Sequence, residues 1–242
     1  MLRKCIGIIS YFPNDLKVRE ERIKRFEKLL SVLDKYFKLP IAIVAQNWKD
    51  FVLPPYCNTI YLYKYSSGLG VTGARIALRD KLLKLNFDYF IFLDDDSDIK
   101  CTNKGVENYF KEIDSNPDKF GNFNGCWQRL NAISKTMLKI MDYDYIKDYE
   151  SFRGEIWEDF AYNKTYKALF PQKVFQFSKW EISENSQMAR NDEYTTWYRP
   201  EFGNENNIKL NTIKIANNWI SEKRKKKYES VFRNNKLSAG WY

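Results

Sequence analysis

The run Tyr89-Phe90-Ile91-Phe92-Leu93 ends abruptly in Asp94-Asp95-Asp96. An unbroken apolar and aromatic stretch without helical spacing reads as the interior of a β-strand. Adjacent carboxylates at its end repel one another unless a cation or hydrogen-bond donors share the site. A divalent metal is the simplest such occupant. Ligands that are all oxygen favour hard ions such as Mg²⁺ or Mn²⁺, held through one or two carboxylates together with the phosphates of a substrate. The plainer alternative is an acidic loop, or a helix cap, that happens to follow a strand.

The chain of 242 residues contains no histidine. Ser-His-Asp and Cys-His nucleophilic chemistry, His-ligated zinc and imidazole acid/base catalysis are therefore excluded. A general base working near neutral pH must be a carboxylate, Lys, Tyr or Cys, and carboxylates are the clustered type. Cys5, Cys57, Cys101 and Cys126 are widely spaced with no CxxC pair, which reads as reduced thiols. No apolar run is long enough for a spanning helix, and the short apolar stretch before Pro13 does not make a signal peptide. A cytoplasmic protein is expected.

The formal charge of +9 is uneven. Lys223, Arg224, Lys225, Lys226, Lys227, Arg233 and Lys236 lie together against Glu229, and without them the body is close to neutral. Such a tail is either a solvated helix face or an electrostatic contact with an anionic membrane surface or DNA. The size and the 44% hydrophobic content fit one main domain. The expected division is a single domain over 1–221, with halves at about 1–100 and 101–221, and a basic tail over 222–242.

Along the chain, Cys5 to Tyr11 reads as a strand. Val18 to Phe37 reads as an amphipathic helix on the spacing of Ile23, Phe26, Leu30, Leu33 and Phe37, with a basic outer face. Strands follow at Ile41 to Ala45 and Thr59 to Tyr63, then a turn over Gly68 to Gly73, a helix from Ala74 to Leu85 and the strand ending at Leu93. The order β-α-β-β-α-β predicts an α/β sandwich with a mostly parallel central sheet, whose ligands collect at the carboxyl ends of the strands. Beyond it, Val106, Phe110 and Ile113 suggest a helix, Phe120 to Trp127 a strand, and Ile133 to Met141 a further element. The C-terminal hundred or so residues are less regular.

Other constellations could carry chemistry. Gly68-Leu69-Gly70-Val71-Thr72-Gly73 matches GxGxxG and precedes an acid by about twenty residues, the outward marks of a dinucleotide fingerprint. It follows the third strand instead of opening the domain, and a glycine turn feeding a helix suits a diphosphate generally. Arg75 and Arg79, a turn apart on that helix, could face bound phosphate or solvent. In Gly154-Glu155-Ile156-Trp157-Glu158-Asp159-Phe160, Glu155 and Asp159 share a helical face, and the flanking aromatics could raise a carboxylate toward the working range of a base. Trp127, Trp157 and Trp180 are candidates for stacking on a sugar or for core packing.

Ile6-Gly7-Ile8-Ile9-Ser10-Tyr11, Gly73-Ala74-Arg75, Phe92-Leu93-Asp94-Asp95-Asp96 and Trp157-Glu158-Asp159 together resemble a GT-A-fold glycosyltransferase of the family 2 type, over about residues 4–165. The resemblance implies a GT-A three-layer sandwich with a less regular C-terminal acceptor region. It implies transfer of a sugar from a nucleotide-diphosphate donor, UDP-sugars favoured, with Mn²⁺ or Mg²⁺ and usually with inversion. Asp94 and Asp96 match the acids of its DxD motif and imply the metal ligands. Ser10, Tyr11, Arg75, Asp94 and Asp95 fall where the donor binds. Asp159, with Glu158 beside it, matches the catalytic base, and Trp127 and Trp157 are the acceptor-side candidates. The QxxRW-type motif and spanning segments of processive synthases are not visible, which points to single addition.

The expected reaction is sugar transfer to a hydroxyl of a glycan or lipid-linked saccharide in bacterial surface polysaccharide biosynthesis, with the tail docking the enzyme at the inner membrane face. The alternatives are glycosylation of a hydroxymethylated base in phage DNA, a non-catalytic basic nucleic-acid-binding protein and a dinucleotide oxidoreductase.

Overall fold

β1 (Lys4–Tyr11) is the axis of the molecule. It pairs in parallel with β2 (Ile41–Gln46) on one side and with β4 (Tyr89–Asp94) on the other. The computed structural model describes residues 1–66, 69–123, 129–140, 167–178 and 181–184. Within them the elements run β1, α1 (Leu16–Val32), a π-helical turn (Leu33–Phe37), β2, β3 (Ile60–Tyr65), α2 (Gly70–Lys84), β4, β5 (Ile99–Cys101), α3 (Asn103–Asp114), β6 (Phe120–Asn122), β7 (Arg129–Ser134), α4 (Lys135–Ile140), β8 (Val174–Gln176) and β9 (Ile182–Glu184).

The main sheet has seven strands in the order β3-β2-β1-β4-β7-β6-β8, and β5 pairs with β9 separately. Contacts β1·β2, β1·β4, β2·β3 and β6·β8 are parallel, whereas β7 runs antiparallel to both β4 and β6. The mixed, mostly parallel sheet expected from the sequence is thus present. The β-α-β-β-α-β order of the first hundred or so residues holds, with shifts of a few residues at element ends.

Alternation along the strands sorts the core into two layers. Cys5 and Ile9 of β1, with Phe90 and Phe92 of β4, pack in the cluster that holds Ala74, Leu78 and Leu82 of α2. Ile6 and Ile8, with Tyr89, Ile91 and Leu93, pack in the cluster that holds Phe26, Leu29 and Leu30 of α1 and Tyr109 of α3. A strand buried on both faces needs apolar residues at every position, which is why β4 shows no polar alternation. The result is helices on both faces of one sheet.

Two segments differ from the sequence reading. The stretch expected as one strand from Phe120 to Trp127 is β6 alone as far as Asn122, and Asn124 to Gln128 lie outside the described residues. Ile133 belongs to β7, an antiparallel strand, with α4 starting two residues later. The helix expected from Ala74 begins earlier, so Gly70 and Gly73 sit in the first turn of α2 instead of in a loop.

A bulge in β7 shifts its register against β4 between Phe92 and Leu93. Beside it, buried Leu130 takes a φ of 59°, and its carbonyl accepts a 2.6 Å hydrogen bond from the Tyr109 hydroxyl. Bulges of this kind re-aim a strand near the end of a sheet. Among the described residues no helix is long and apolar enough to cross a membrane.

Candidate functional site

The chain lays down β1, β2 and β3 outward in one direction, then returns through α2 to place β4 on the other side of β1. The order reverses between β1 and β4, and the carboxyl ends of strands at such a switch point are where open α/β sheets bind ligands. Ser10 and Tyr11 end β1 there, Asp94 ends β4, and Asp95 and Asp96 follow in the turn. Register pairs Ile9 with Asp94. The two segments singled out from sequence therefore meet.

Their carboxylates do different things. Asp95 is 4% exposed. One of its oxygens accepts from the Ser10 hydroxyl at 2.7 Å and from the Tyr11 backbone N–H at 3.1 Å, while the other accepts from the Arg22 guanidinium at 2.8 Å. Burial pushes its carboxyl above the usual range, Arg22 pulls it back down, and Asp96 reinforces the rise. The Ser10 hydroxyl in turn accepts from the Trp48 indole N–H at 3.0 Å. Ser10 and Asp95 are thus tied into the floor of the site, beneath its surface.

Asp94 and Asp96 are half-buried. The backbone N–H of Ser97 donates to the Asp94 carbonyl at 3.2 Å, closing a tight turn, and the Asp94 N–H donates to the Ser97 hydroxyl at 3.3 Å. The Asp96 carboxylate lies 2.9 Å from the same Arg22 nitrogen that holds Asp95. Asp98 pairs with Lys28, an exposed side chain of α1, at 2.7 Å. Asp94, two residues on from Phe92, falls on the sheet face that α2 covers, and α2 carries the buried Arg75.

Arg22 is the member of the candidate site that the sequence reading missed, pairing with both Asp95 and Asp96. Asp15 caps α1 by accepting from the Val18 N–H at 2.9 Å, which starts the helix at the edge of the site. Arg22, Phe26, Leu29 and Leu30 are its buried residues, spaced i, i+4, i+7 and i+8. The arginine therefore lies on the inward stripe, while Lys17, Lys24 and Lys28 make up the basic outer face expected from the sequence. The counter-charge expected among the three Asp residues is supplied at least in part by this side chain.

Arg79 is turned toward α4. It donates to the carbonyls of Leu138 at 3.2 Å and Lys139 at 3.1 Å, in the last turn of α4, and pairs with Asp80. The loops after β1 and β2 are locked together as well. The Asn47 amide donates to the Phe12 carbonyl at 2.7 Å, and Trp48 stacks on Phe12 with ring centroids 5.1 Å apart and planes 8° apart. Phe26 and Phe51 close edge-on around that stack. Nothing in the sequence spacing of these aromatics announced the cluster, because its members come from a loop, a helix and a second loop.

Among the described residues no group of three or more Cys, His, Asp or Glu side chains is arranged to enclose a metal ion. Asp94 and Asp96 provide hard oxygen donors at a half-open turn, which fits an ion that takes one or two carboxylates and completes its shell with water and substrate phosphates. Asp159, Glu158, Trp127, Trp157, Glu155, Trp180 and the basic segment 223–236 lie outside the described residues.

No protein-family model matches the sequence, and no curated protein matches it at a significant level. Solved structures do match. S. aureus TarS aligns with 98% of this chain at 9% identity and a TM-score of 0.52, this chain covering 44% of that one. S. aureus TarS 1-349 in complex with UDP-GlcNAc aligns with 96% of this chain at 9% identity and a TM-score of 0.51, with 71% of that chain covered. A further structure of TarS 1-349 matches 75% of this chain at 11% identity with a TM-score of 0.48, and this chain spans 60% of its length. What the two matches above a TM-score of 0.5 establish is the fold alone, an α/β sandwich around a mostly parallel sheet.

Proposed function

We propose that the protein is a metal-dependent glycosyltransferase that moves a sugar from a nucleotide-diphosphate donor to a hydroxyl of a glycan or lipid-linked saccharide, with inversion at the anomeric carbon. The observation that carries this reading is the acidic turn at the switch point between β1 and β4. Asp94 and Asp96 are half-buried there, and Asp96 is held by Arg22, which also holds the Asp95 carboxylate that Ser10 donates to. It is supported by the fold shared with TarS, one of whose structures is a complex with UDP-GlcNAc. A UDP-sugar is the favoured donor.

Asp94 and Asp96 would hold Mn²⁺ or Mg²⁺, which would supply positive charge to the leaving diphosphate. The chain's own groups do the rest. Tyr11, half-buried at the end of β1, borders the place for the nucleoside. Arg75 on α2 adds fixed positive charge to the donor side. The acceptor oxygen forms a bond to the anomeric carbon as the bond from that carbon to the diphosphate oxygen breaks. The acceptor proton passes to the carboxylate of Asp159, with Glu158 beside it. Trp127 and Trp157 are assigned to the acceptor side, where an indole face suits the apolar face of a sugar.

The test is release of UDP from a panel of UDP-sugars, with water or added saccharides as acceptor. Transfer or slow hydrolysis that falls by about a hundredfold or more in Asp159→Asn, without loss of donor binding, is the expected result. Turnover unchanged in that variant removes Asp159 from the role of base.

A further inference from the structure

We propose that Arg22 is the positioning residue for Asp96, and that the affinity of the site for a metal-diphosphate is set from α1 through this one side chain. The inference rests on the reading of Asp96 as a metal ligand. A single guanidinium nitrogen lies 2.8 Å from Asp95 and 2.9 Å from Asp96, with the arginine side chain 7% exposed. Asp95 has two further donors, the Ser10 hydroxyl and the Tyr11 N–H. Its place is fixed whatever Arg22 does for its neighbour.

Asp96 is differently placed. Its side chain is 20% exposed and follows two other carboxylates in sequence, so repulsion favours its swinging outward into water. The buried guanidinium opposes that swing and holds one carboxylate oxygen at the floor of the site. Ordering the carboxylate beforehand removes an entropic cost from ligand binding. That terminal nitrogen carries two N–H donors fixed in the guanidinium plane, so it can serve both carboxylates at once, whereas a lysine ammonium brings rotating donors on a flexible stem and a poorer fit. The chain of contacts runs from Trp48 and Ser10 through Asp95 and Arg22 to Asp96, joining the loop after β2, the end of β1, α1 and the turn after β4.

The same guanidinium also neutralises charge that a metal would otherwise neutralise, so the opposite effect is physically possible and the two can be told apart. If Arg22 acted only as a competitor, its removal would tighten metal binding. If it positions Asp96, removal weakens it.

The experiment is titration of Mn²⁺ in the presence of UDP, read from the electron paramagnetic resonance signal of free Mn²⁺. It compares the wild type, Arg22→Gln, Arg22→Lys and Lys4→Gln. Lys4→Gln breaks the Lys4–Asp114 pair, whose lysine is 3% exposed and which lies at the opposite end of β1, so it lowers stability without touching the turn. Loss of a partner that orients a ligand costs about tenfold or more in metal affinity. The expected result is that loss in Arg22→Gln, an intermediate value in Arg22→Lys and wild-type affinity in Lys4→Gln. Should Arg22→Gln fail to fold, Arg22→Lys decides alone, with about threefold weakening expected from its poorer fit to two carboxylates. Wild-type or tighter affinity in the Arg22 variants overturns the inference and leaves the metal site intact. A wild type without Mn²⁺-dependent binding of UDP overturns the metal reading, and the inference with it.

Discussion

Cys5 and Asp95 show how burial acts on two kinds of group. The Asp95 charge is kept beneath the surface by Arg22 and two hydrogen bonds, and removing one partner of a buried pair of this kind costs about 3–5 kcal/mol. Cys5 is held neutral instead, burial pushing its thiol from 9.0 up to about 12. Its contribution to stability is complete below pH 9 and is lost as the pH rises toward the folded value, because the unfolded chain releases the proton first. Urea unfolding of Cys5→Val should therefore show an alkaline limb shallower than wild type by about 1.4 kcal/mol per pH unit. Parallel limbs in the two proteins would contradict the burial of that thiol. At this scale Asp94 to Asp96 were legible because three like charges after an apolar run need compensation. Arg22 was overlooked because Ile23 and Phe26 define a plausible helical stripe without it, although Arg22 itself lies four residues before Phe26. A charged residue at an inward position is recognised only once its partner seventy or so residues away is in view.

At the level of elements, hydrophobic period and punctuation sufficed where helices cross between parallel strands, from β1 through α2 to β4. They failed beyond Asp114, where strands of three residues carry too short a pattern to separate from loop or helix. β7 was hidden for another reason, since its last residues run straight into α4 and the helix-like sequence continues backward into the strand. The packing of β6 against β8 is close. A Cβ built on Gly121 lies 2.5 Å from ring atoms of both Phe175 and Phe177, so no side chain fits without displacing those rings. Gly121→Ala should lower the unfolding free energy by about 1–3 kcal/mol, measured by chemical denaturation, through overpacking. A neutral or stabilising effect would show that β8 does not pack there as described. The loops after β1 and β2 are the other element-scale result, since the stack of Trp48 on Phe12 makes a rigid wall beside Ser10.

The whole molecule brings residues from distant parts of the sequence to one switch point, and the chemistry proposed for it follows from that placement. The order of strands was foreseen as a type, and the location of the Asp turn at a carboxyl edge followed from it. The partner of that turn, a buried arginine on α1, came only from the three-dimensional arrangement. Fold similarity to TarS comes with 9% identity in both alignments that exceed a TM-score of 0.5, so the architecture is specified by hydrophobic pattern with few residues in common. The central claim is that the turn binds a metal and a nucleotide diphosphate together. Calorimetric titration with UDP-GlcNAc, with and without Mn²⁺, on the wild type and on Asp96→Ala tests it most directly. The account predicts binding that requires Mn²⁺ and is lost in Asp96→Ala. Nucleotide binding indifferent both to the metal and to that substitution, or no binding at all, would contradict it.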